Sequence, residues 1–298
     1  MLLTIISLQP RVVSEGGESA ESRVLRFAVD LEKGVPDSFD MILVEEKMAT
    51  RADPDPLKTV LFQELERYNK LLARMRSGLA DLQRGLQGFV VITPELESVF
   101  AALTVGLVPA SWGFCYPSQK PLGSWMRDLK QRVEQMHAWV NDKMPNVFWL
   151  SGFTYPTGFL TALLQTSARR NGLSIDTLSW EFPVMNQPET TLTAPPKEGA
   201  YVRGLYLEGA RWDGENGCLV EPNPMELYCP MPIVHFKPAE SKKKSGKGMY
   251  VCPLYMYPVR TGTRERPSYM IPVDLKAGAF SGDFWVKRGT ALLLALAI

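Results

Sequence analysis

Residues 53–93 read DPDPLKTVLFQELERYNKLLARMRSGLADLQRGLQGFVVIT, and the spacing within this stretch decides the first half of the fold. Leu57, Leu61, Leu65, Tyr68, Leu72, Met75, Leu79, Leu82 and Leu86 recur every three or four residues. That rhythm is one apolar stripe along a single long helix, with Glu66, Lys70, Arg74 and Arg84 among the polar residues off it. Asp53-Pro54-Asp55-Pro56 sets the start, because proline restricts the residue before it and suits a first helical turn, where acidic groups are also favoured. Gly88 fits the stop. Alone, the stripe also fits a coiled-coil seam. The flanking aromatics Phe62 and Phe89 and the short link to the next helix favour a seat against a packed domain.

Outward from this helix the periodicity continues. Thr93-Pro94-Glu95 combines a capping hydroxyl, a first-turn proline and an acid, predicting a helix to about Val105. A further helix over Pro121–Lys143 places Leu122, Trp125, Leu129, Val133, Met136 and Trp139 on one face. Val147–Phe153 is a short strand-like run, and a last helix runs from Pro156 to a stop at Asn171-Gly172. Upstream, short helices are expected near Ser22–Leu31 and Phe39–Thr50.

Beyond about residue 175 the pattern changes. Thirteen of the 23 prolines lie between 183 and 298, and short β-rich runs replace helical spacing: Tyr201–Trp212, Cys218–Val220, Ile233–Lys237, Met249–Tyr257, Tyr269–Leu275 and Phe284–Leu296. Turn clusters at Asp213–Gly217 and Ser245–Gly248 separate them. Helices first and strands afterwards predict an α+β fold: a mixed lead-in over 1–56, a helical part over 57–175 and a β part over 176–298. The proline load predicts a small, partly open antiparallel β-barrel.

One strand poses a conflict. Strict alternation over Tyr201–Trp212 puts Arg203 and Arg211 with Leu205 and Leu207, and Glu208 with Tyr206 and Trp212. A bulge at Gly209 would shift the parity, moving Arg211 to the side of Glu208 and Trp212 to that of the leucines.

Composition excludes several function classes. With 45% hydrophobic and 22% charged residues and a net charge of +1, nothing global points to nucleic acid or an anionic membrane. Cys115, Cys218, Cys229 and Cys252 are too few for a disulfide scaffold and, with His235, fit no zinc spacing. They read as plain buried thiols in a reducing compartment. Met1–Leu8 lacks the basic start and cleavage site of a signal peptide. Ala291–Ile298 is too short for a membrane helix and reads as a buried strand or strand-to-helix turn.

Catalytic equipment is equally scarce. Around Gly246-Lys247, Ser241 stands where a phosphate-binding loop needs its first glycine, and Gly248 follows the lysine. His137 and His235 have no readable nucleophile or carboxylate partner, so half-buried structural histidines are the ordinary reading. Lys242-Lys-Lys244 with Lys247 could touch an acidic surface, but reads better as a solvated hairpin tip. The seven tryptophans read as core rather than stacking platforms. No catalytic, cofactor-binding or metal residue is assigned.

Three phrases nevertheless carry a specific resemblance: Val147-Phe-Trp-Leu-Ser-Gly-Phe-Thr-Tyr-Pro156, Ala200-Tyr-Val-Arg-Gly-Leu-Tyr-Leu-Glu-Gly-Ala-Arg-Trp-Asp213 and Tyr250-Val-Cys-Pro-Leu-Tyr255. With Phe62–Leu72, Gly88–Ile92, Val108–Trp112 and Lys120–Trp125, in this order, the sequence resembles the C-terminal domain of axonemal dynein heavy chains. The resemblance implies a non-catalytic segment packed on the AAA+ ring of the same heavy chain, modulating a minus-end-directed microtubule motor. It implies that Met1 falls inside a far larger protein and that Ile298 lies near its end. ATP and Mg would serve the parent motor, not this segment. Partners would be the ring modules, with other dynein subunits or axonemal neighbours; microtubules would be reached only through the parent, and no nucleic acid or membrane is expected. The setting would be the cytoplasm and cytoskeleton, in the axoneme of a cilium or flagellum. The alternative is an independent α+β ligand-binding or hydrolytic protein.

Overall fold

In the computed structural model, residues 19–116, 118–240, 248–257 and 269–296 are described. Helices form where capping and periodicity place them. Helix α1 (Ala20–Lys33) starts at Ser19, whose hydroxyl accepts from the Ser22 N–H at 3.2 Å. Helix α2 (Met41–Ala49) starts at Asp40, whose carboxylate accepts from the Ile42 and Leu43 N–H groups. The 32-residue α3 (Asp55–Leu86) carries the stripe. From Leu57 to Leu82 every stripe residue is at most 3% exposed, and Leu86 is half-buried. Helices α4 (Pro94–Thr104), α5 (Leu122–Asn141) and α6 (Pro156–Asn171) follow, the last stopped by Gly172 in the left-handed conformation.

The fold comprises two compact units. One contains Leu61–His137 and the described residues up to Thr50; the other contains Arg51–Val60 with Ala138–Leu296. The first unit buries the stripe from Leu61 to Leu82 together with Trp112, Trp125, Leu129, Val133 and Met136. In the second, Trp139, Phe148, Phe153 and Phe159 form an aromatic cluster, with Phe153 stacked on Phe159 at 4.4 Å and Trp139 edge-on to Phe148 at 5.3 Å.

The second unit also holds the strands: β1 (Val147–Trp149), β2 (Ser179–Glu181), β3 (Val184–Met185), β4 (Ala200–Arg203), β5 (Tyr206–Glu208), β6 (Arg211–Asp213), β7 (Cys218–Val220), β8 (Tyr228–Pro230), β9 (Ile233–Ala239), β10 (Met249–Tyr255), β11 (Tyr269–Lys276) and β12 (Ala291–Leu293). One sheet has the order β1-β4-β9-β2, with β3 also on β9; another runs β11-β10-β12-β5-β8; β6 and β7 form a separate hairpin. The fold is therefore mixed α+β, and the ladders among the described residues close no barrel.

The expected antiparallel arrangement needs correction at two ladders, since β1–β4 and β10–β12 are parallel. Each parallel pair is joined by a long connection that includes a helix, α6 in the first case and α7 (Gly282–Arg288) in the second. Helix α7 also corrects the β reading of Phe284–Leu296. Phe284, Trp285 and Val286 favour strands, but Ser281 caps the Phe284 N–H and Gly289 closes the helix in the left-handed conformation. Only Ala291–Leu293 of that run is a strand, and it is fully buried.

The run Tyr201–Trp212 is three strands, not one. At Gly209 the backbone turns to φ +72°, which glycine adopts without the steric cost of a side chain. There the backbone leaves β5, paired with β12 and β8, and enters β6, paired with β7. Leu205, Leu207, Ala210 and Trp212 are buried while Glu208 and Arg211 are half-buried, so the inward parity does shift by one residue. The cause is a change of sheet rather than a bulge within one ladder.

Candidate interaction surface

The residues able to do chemistry are mostly committed elsewhere. His235 Nε2 lies 2.7 Å from the Glu198 carbonyl, and its ring leans on Tyr201. His137 lies against Phe39, with ring centroids 4.3 Å apart. Burial lowers the pKa of both histidines. All four cysteines are free; Cys229 and Cys252 are buried, and Cys115 and Cys218 half-buried. Burial pushes the Cys115 thiol up to about 12. No group of metal-holding residues occurs among the described residues, and no described helix is long and apolar enough to cross a membrane. Trp112, Trp125, Trp139, Trp212 and Trp285 are buried, as core residues would be. The lysine run Lys242–Lys244, with Lys247, lies outside the described residues.

Two clefts in the second unit have polar linings. One, of about 220 Å³, is lined by Asp53, Ser167, Arg170 and Lys197 among others. Its Asp53 carboxylate is already held by Arg51 at 2.9 Å and by the Trp139 indole N–H at 3.1 Å. The other, of about 350 Å³, is bordered by Phe182, Asn186, Trp212, Asp274 and Lys276. Neither lining contains a histidine or cysteine to pair with a nucleophile or leaving group.

The surface of the first unit is more informative. Between α3 and α4 lie four consecutive exposed large apolar side chains: Phe89 at 75%, Val90 at 37%, Val91 at 84% and Ile92 at 41%. Both ends of this tip are fixed. Helix α3 stops with the Phe89 N–H donating to the Arg84 carbonyl at 2.9 Å and the Gly88 N–H to Gly85 at 3.0 Å, and Gly88 sits at φ +81°. These paired bonds are the glycine-terminated helix stop in which a left-handed residue folds the backbone over the last turn. Four residues later Thr93 caps the next helix by accepting from the Leu96 N–H, and Pro94 enters at its first turn. Ile92 lies across the end of α3, where a side chain on Gly85 would meet its Cγ1 at 3.2 Å. Exposed Glu95 and Glu97 rim the tip on the α4 side. A run of exposed apolar residues on a capped, hydrogen-bonded turn is a candidate interaction surface.

The first unit also contains an ionic cluster. On α3, Glu64 is fully buried and accepts from Arg67 at 3.0 Å. On α5, Asp128 bridges Lys120 at 2.8 Å and Arg132 at 2.5 Å, all three at most 17% exposed. The Arg132 guanidinium also lies 4.0 Å from the centre of the Tyr116 ring. Burial opposes the charge on Arg132, but Tyr68 and Asp128 more than offset it and leave its pKa raised. The cluster ties Tyr116 and Lys120 to α5. Sequence reasoning passed over it, although two signals were present: Asp128 and Arg132 stand four apart beside the inward Leu129 and Val133, and Glu64 follows Leu61 by three.

Residues 1–294 match the sequence model of the C-terminal domain of the dynein heavy chain. The protein belongs to this family. The dynein C-terminal domain is 55% identical over 301 residues to the Dynein-1-beta heavy chain, flagellar inner arm I1 complex, of Chlamydomonas reinhardtii, an alignment that takes in 100% of this chain and 7% of that one. It is 51% identical to Dynein axonemal heavy chain 2 of Homo sapiens over 98% of its length, again 7% of the relative. With Dynein axonemal heavy chain 1 of Homo sapiens the identity is 40% over 99% of this chain. This dynein domain thus spans about 7% of the length of the relatives it matches. The apolar tip and the ionic cluster both fall inside the matched residues.

Proposed function

We propose that this protein is the non-catalytic C-terminal domain of an axonemal dynein heavy chain, seated on the AAA+ ring of that heavy chain and modulating how the ring moves. The parent would be an ATP-hydrolysing, minus-end-directed microtubule motor, using ATP with Mg, that bends cilia or flagella in the axoneme. The ring modules of the same heavy chain are the partner; other dynein subunits or axonemal neighbours are secondary contacts, and microtubules are reached only through the parent. The observation that carries this reading is the apolar tip Phe89–Ile92, which is ordered by its caps yet left in water. A covering surface of apolar character with basic residues opposite Glu95 and Glu97 would complement it. We also read the two larger sheets as walls of a small, partly open barrel, and 1–56, 57–175 and 176–298 as the functional segments.

The test has two arms. The purified 298-residue protein should neither turn over ATP nor co-sediment with microtubules; clear activity in either assay overturns the non-catalytic reading. In an intact heavy chain, Phe89→Asp with Val91→Asp should alter motor force or processivity while ATP hydrolysis persists. Unchanged motility after removal of the whole domain would end the modulatory reading. Unchanged motility with the double substitution alone would remove only the tip from it.

A further inference from the structure

Between β7 and β8 the backbone makes a tight turn at Asn223-Pro-Met-Glu226, closed by the Glu226 N–H donating to the Asn223 carbonyl at 3.1 Å. Pro224 presets the second position, and Met225 occupies the third at φ +66°, the non-glycine residue with positive φ among those described. Proline followed by a left-handed residue is the signature of a turn whose third position normally takes glycine. Methionine there carries a steric cost, and such costs persist where the surroundings enforce them. Here the enforcement is visible: the Glu226 carboxylate accepts from the Asn223 side-chain amide at 3.0 Å and from its backbone N–H at 3.4 Å. The result is a methionine held fully in water, at 101% relative exposure. The other described methionines are all buried or half-buried; Met75 and Met136 show no exposure and Met48 only 1%.

We propose that Met225 is a reversible oxidation site, the position at which a hydroperoxide oxidant modifies this domain first. The thioether sulfur attacks one peroxide oxygen; the O–O bond breaks, an S–O bond forms, and water or an alcohol leaves. Sulfur loses two electrons and the peroxide gains them. The sulfoxide is polar and chiral, so the turn changes from an apolar projection, continued by Leu227 at 74% exposure, to a polar one. A dithiol-dependent methionine sulfoxide reductase reverses the step: its dithiol becomes a disulfide and the oxygen leaves as water. A projecting turn gives such an enzyme access without unfolding any strand. The site is independent of the apolar tip, and it stands whether or not the domain modulates a motor.

The whole protein is treated with hydrogen peroxide at a level that leaves near-ultraviolet circular dichroism unchanged, and oxygen uptake is followed peptide by peptide by mass spectrometry. Met225 should oxidise at least about tenfold faster than Met48, Met75 and Met136, as accessibility governs susceptibility. Methionine sulfoxide reductase with a dithiol should restore its mass. Met225→Leu should abolish the early oxygen uptake without speeding the others. Equal rates at the buried methionines, or an oxidised Met225 that the reductase cannot restore, would overturn the proposal.

Discussion

Replacing Asp128 with alanine tests the buried ionic cluster most directly. Asp128 is 4% exposed and holds two cations at once, Lys120 at 2.8 Å and Arg132 at 2.5 Å, the latter itself 5% exposed. Alanine leaves the Arg132 charge in the interior without its principal carboxylate, and removing one partner of a buried pair costs about 3–5 kcal/mol. The Tyr116 ring still faces the guanidinium, and Lys120 can reach water, so the lower end, about 3 kcal/mol, is expected. At about 2 °C per kcal/mol for a domain of this size, the melting point should fall by roughly 6 °C. Asp128→Leu combined with Arg132→Met removes both charges and should recover most of the loss, because an apolar pair of similar volume is often at least as stable. Urea unfolding followed by tryptophan fluorescence is a suitable assay, since Trp112 and Trp125 stack 5.9 Å apart within the same unit. A cost below about 1 kcal/mol for the single change would place this pair in the class of solvated surface bridges and refute the reasoning.

Other outcomes follow from the same structure. Leu72, with no exposed surface, should lose about 2–5 kcal/mol on change to alanine, and an unaltered urea midpoint for Leu72→Asp would contradict its burial. Burial lowers the pKa of His137 and His235 below the ordinary 6.5, so the fold favours their neutral forms. The unfolded state then takes up protons first, and stability present above about pH 6.5 is lost as pH falls through the lower folded values. Urea midpoints at pH 7.5 and 5.5 should differ less in a His137→Phe, His235→Gln variant; an unchanged difference would assign the acid sensitivity elsewhere. The Cys115 thiol, raised by burial to about 12 from 9.0, should alkylate at pH 8 roughly three orders of magnitude more slowly than in the unfolded state. Fast labelling in the native state would show that the thiol is open to water.

Much of the helical half was legible because its signals are local. The Leu57–Leu82 spacing, the Thr93-Pro94 start and the Asn171-Gly172 stop each act within a few residues. The β half was less legible because pairing partners lie far apart: β1 lies beside β4 and β12 between β10 and β5, and no periodicity encodes that choice. At Phe284–Val286 strand-favouring side chains masked a helix set by Ser281 and Gly289. Gly209 correctly announced a parity change, while the identity of the next partner, β7, depended on tertiary structure. For the candidate surface, Phe89–Ile92 could be read as an apolar run but not as an exposed one, since exposure depends on what the rest of the fold leaves uncovered.

The position of β12 has a consequence for synthesis. It is a central strand of its sheet, yet it is made about 80 residues after β5. At ribosomal speeds of about 5–20 residues per second, β5 waits roughly 4–16 s for its neighbour. From the completion of β10, about 35 residues before Ala291, both β5 and β10 offer bare hydrogen-bonding edges toward the gap that Ala291–Leu293 will fill. A nascent polypeptide stalled or cut before Ala291 therefore presents two complementary vacant edges to its neighbours on the same polysome, and chaperone demand should peak in that window.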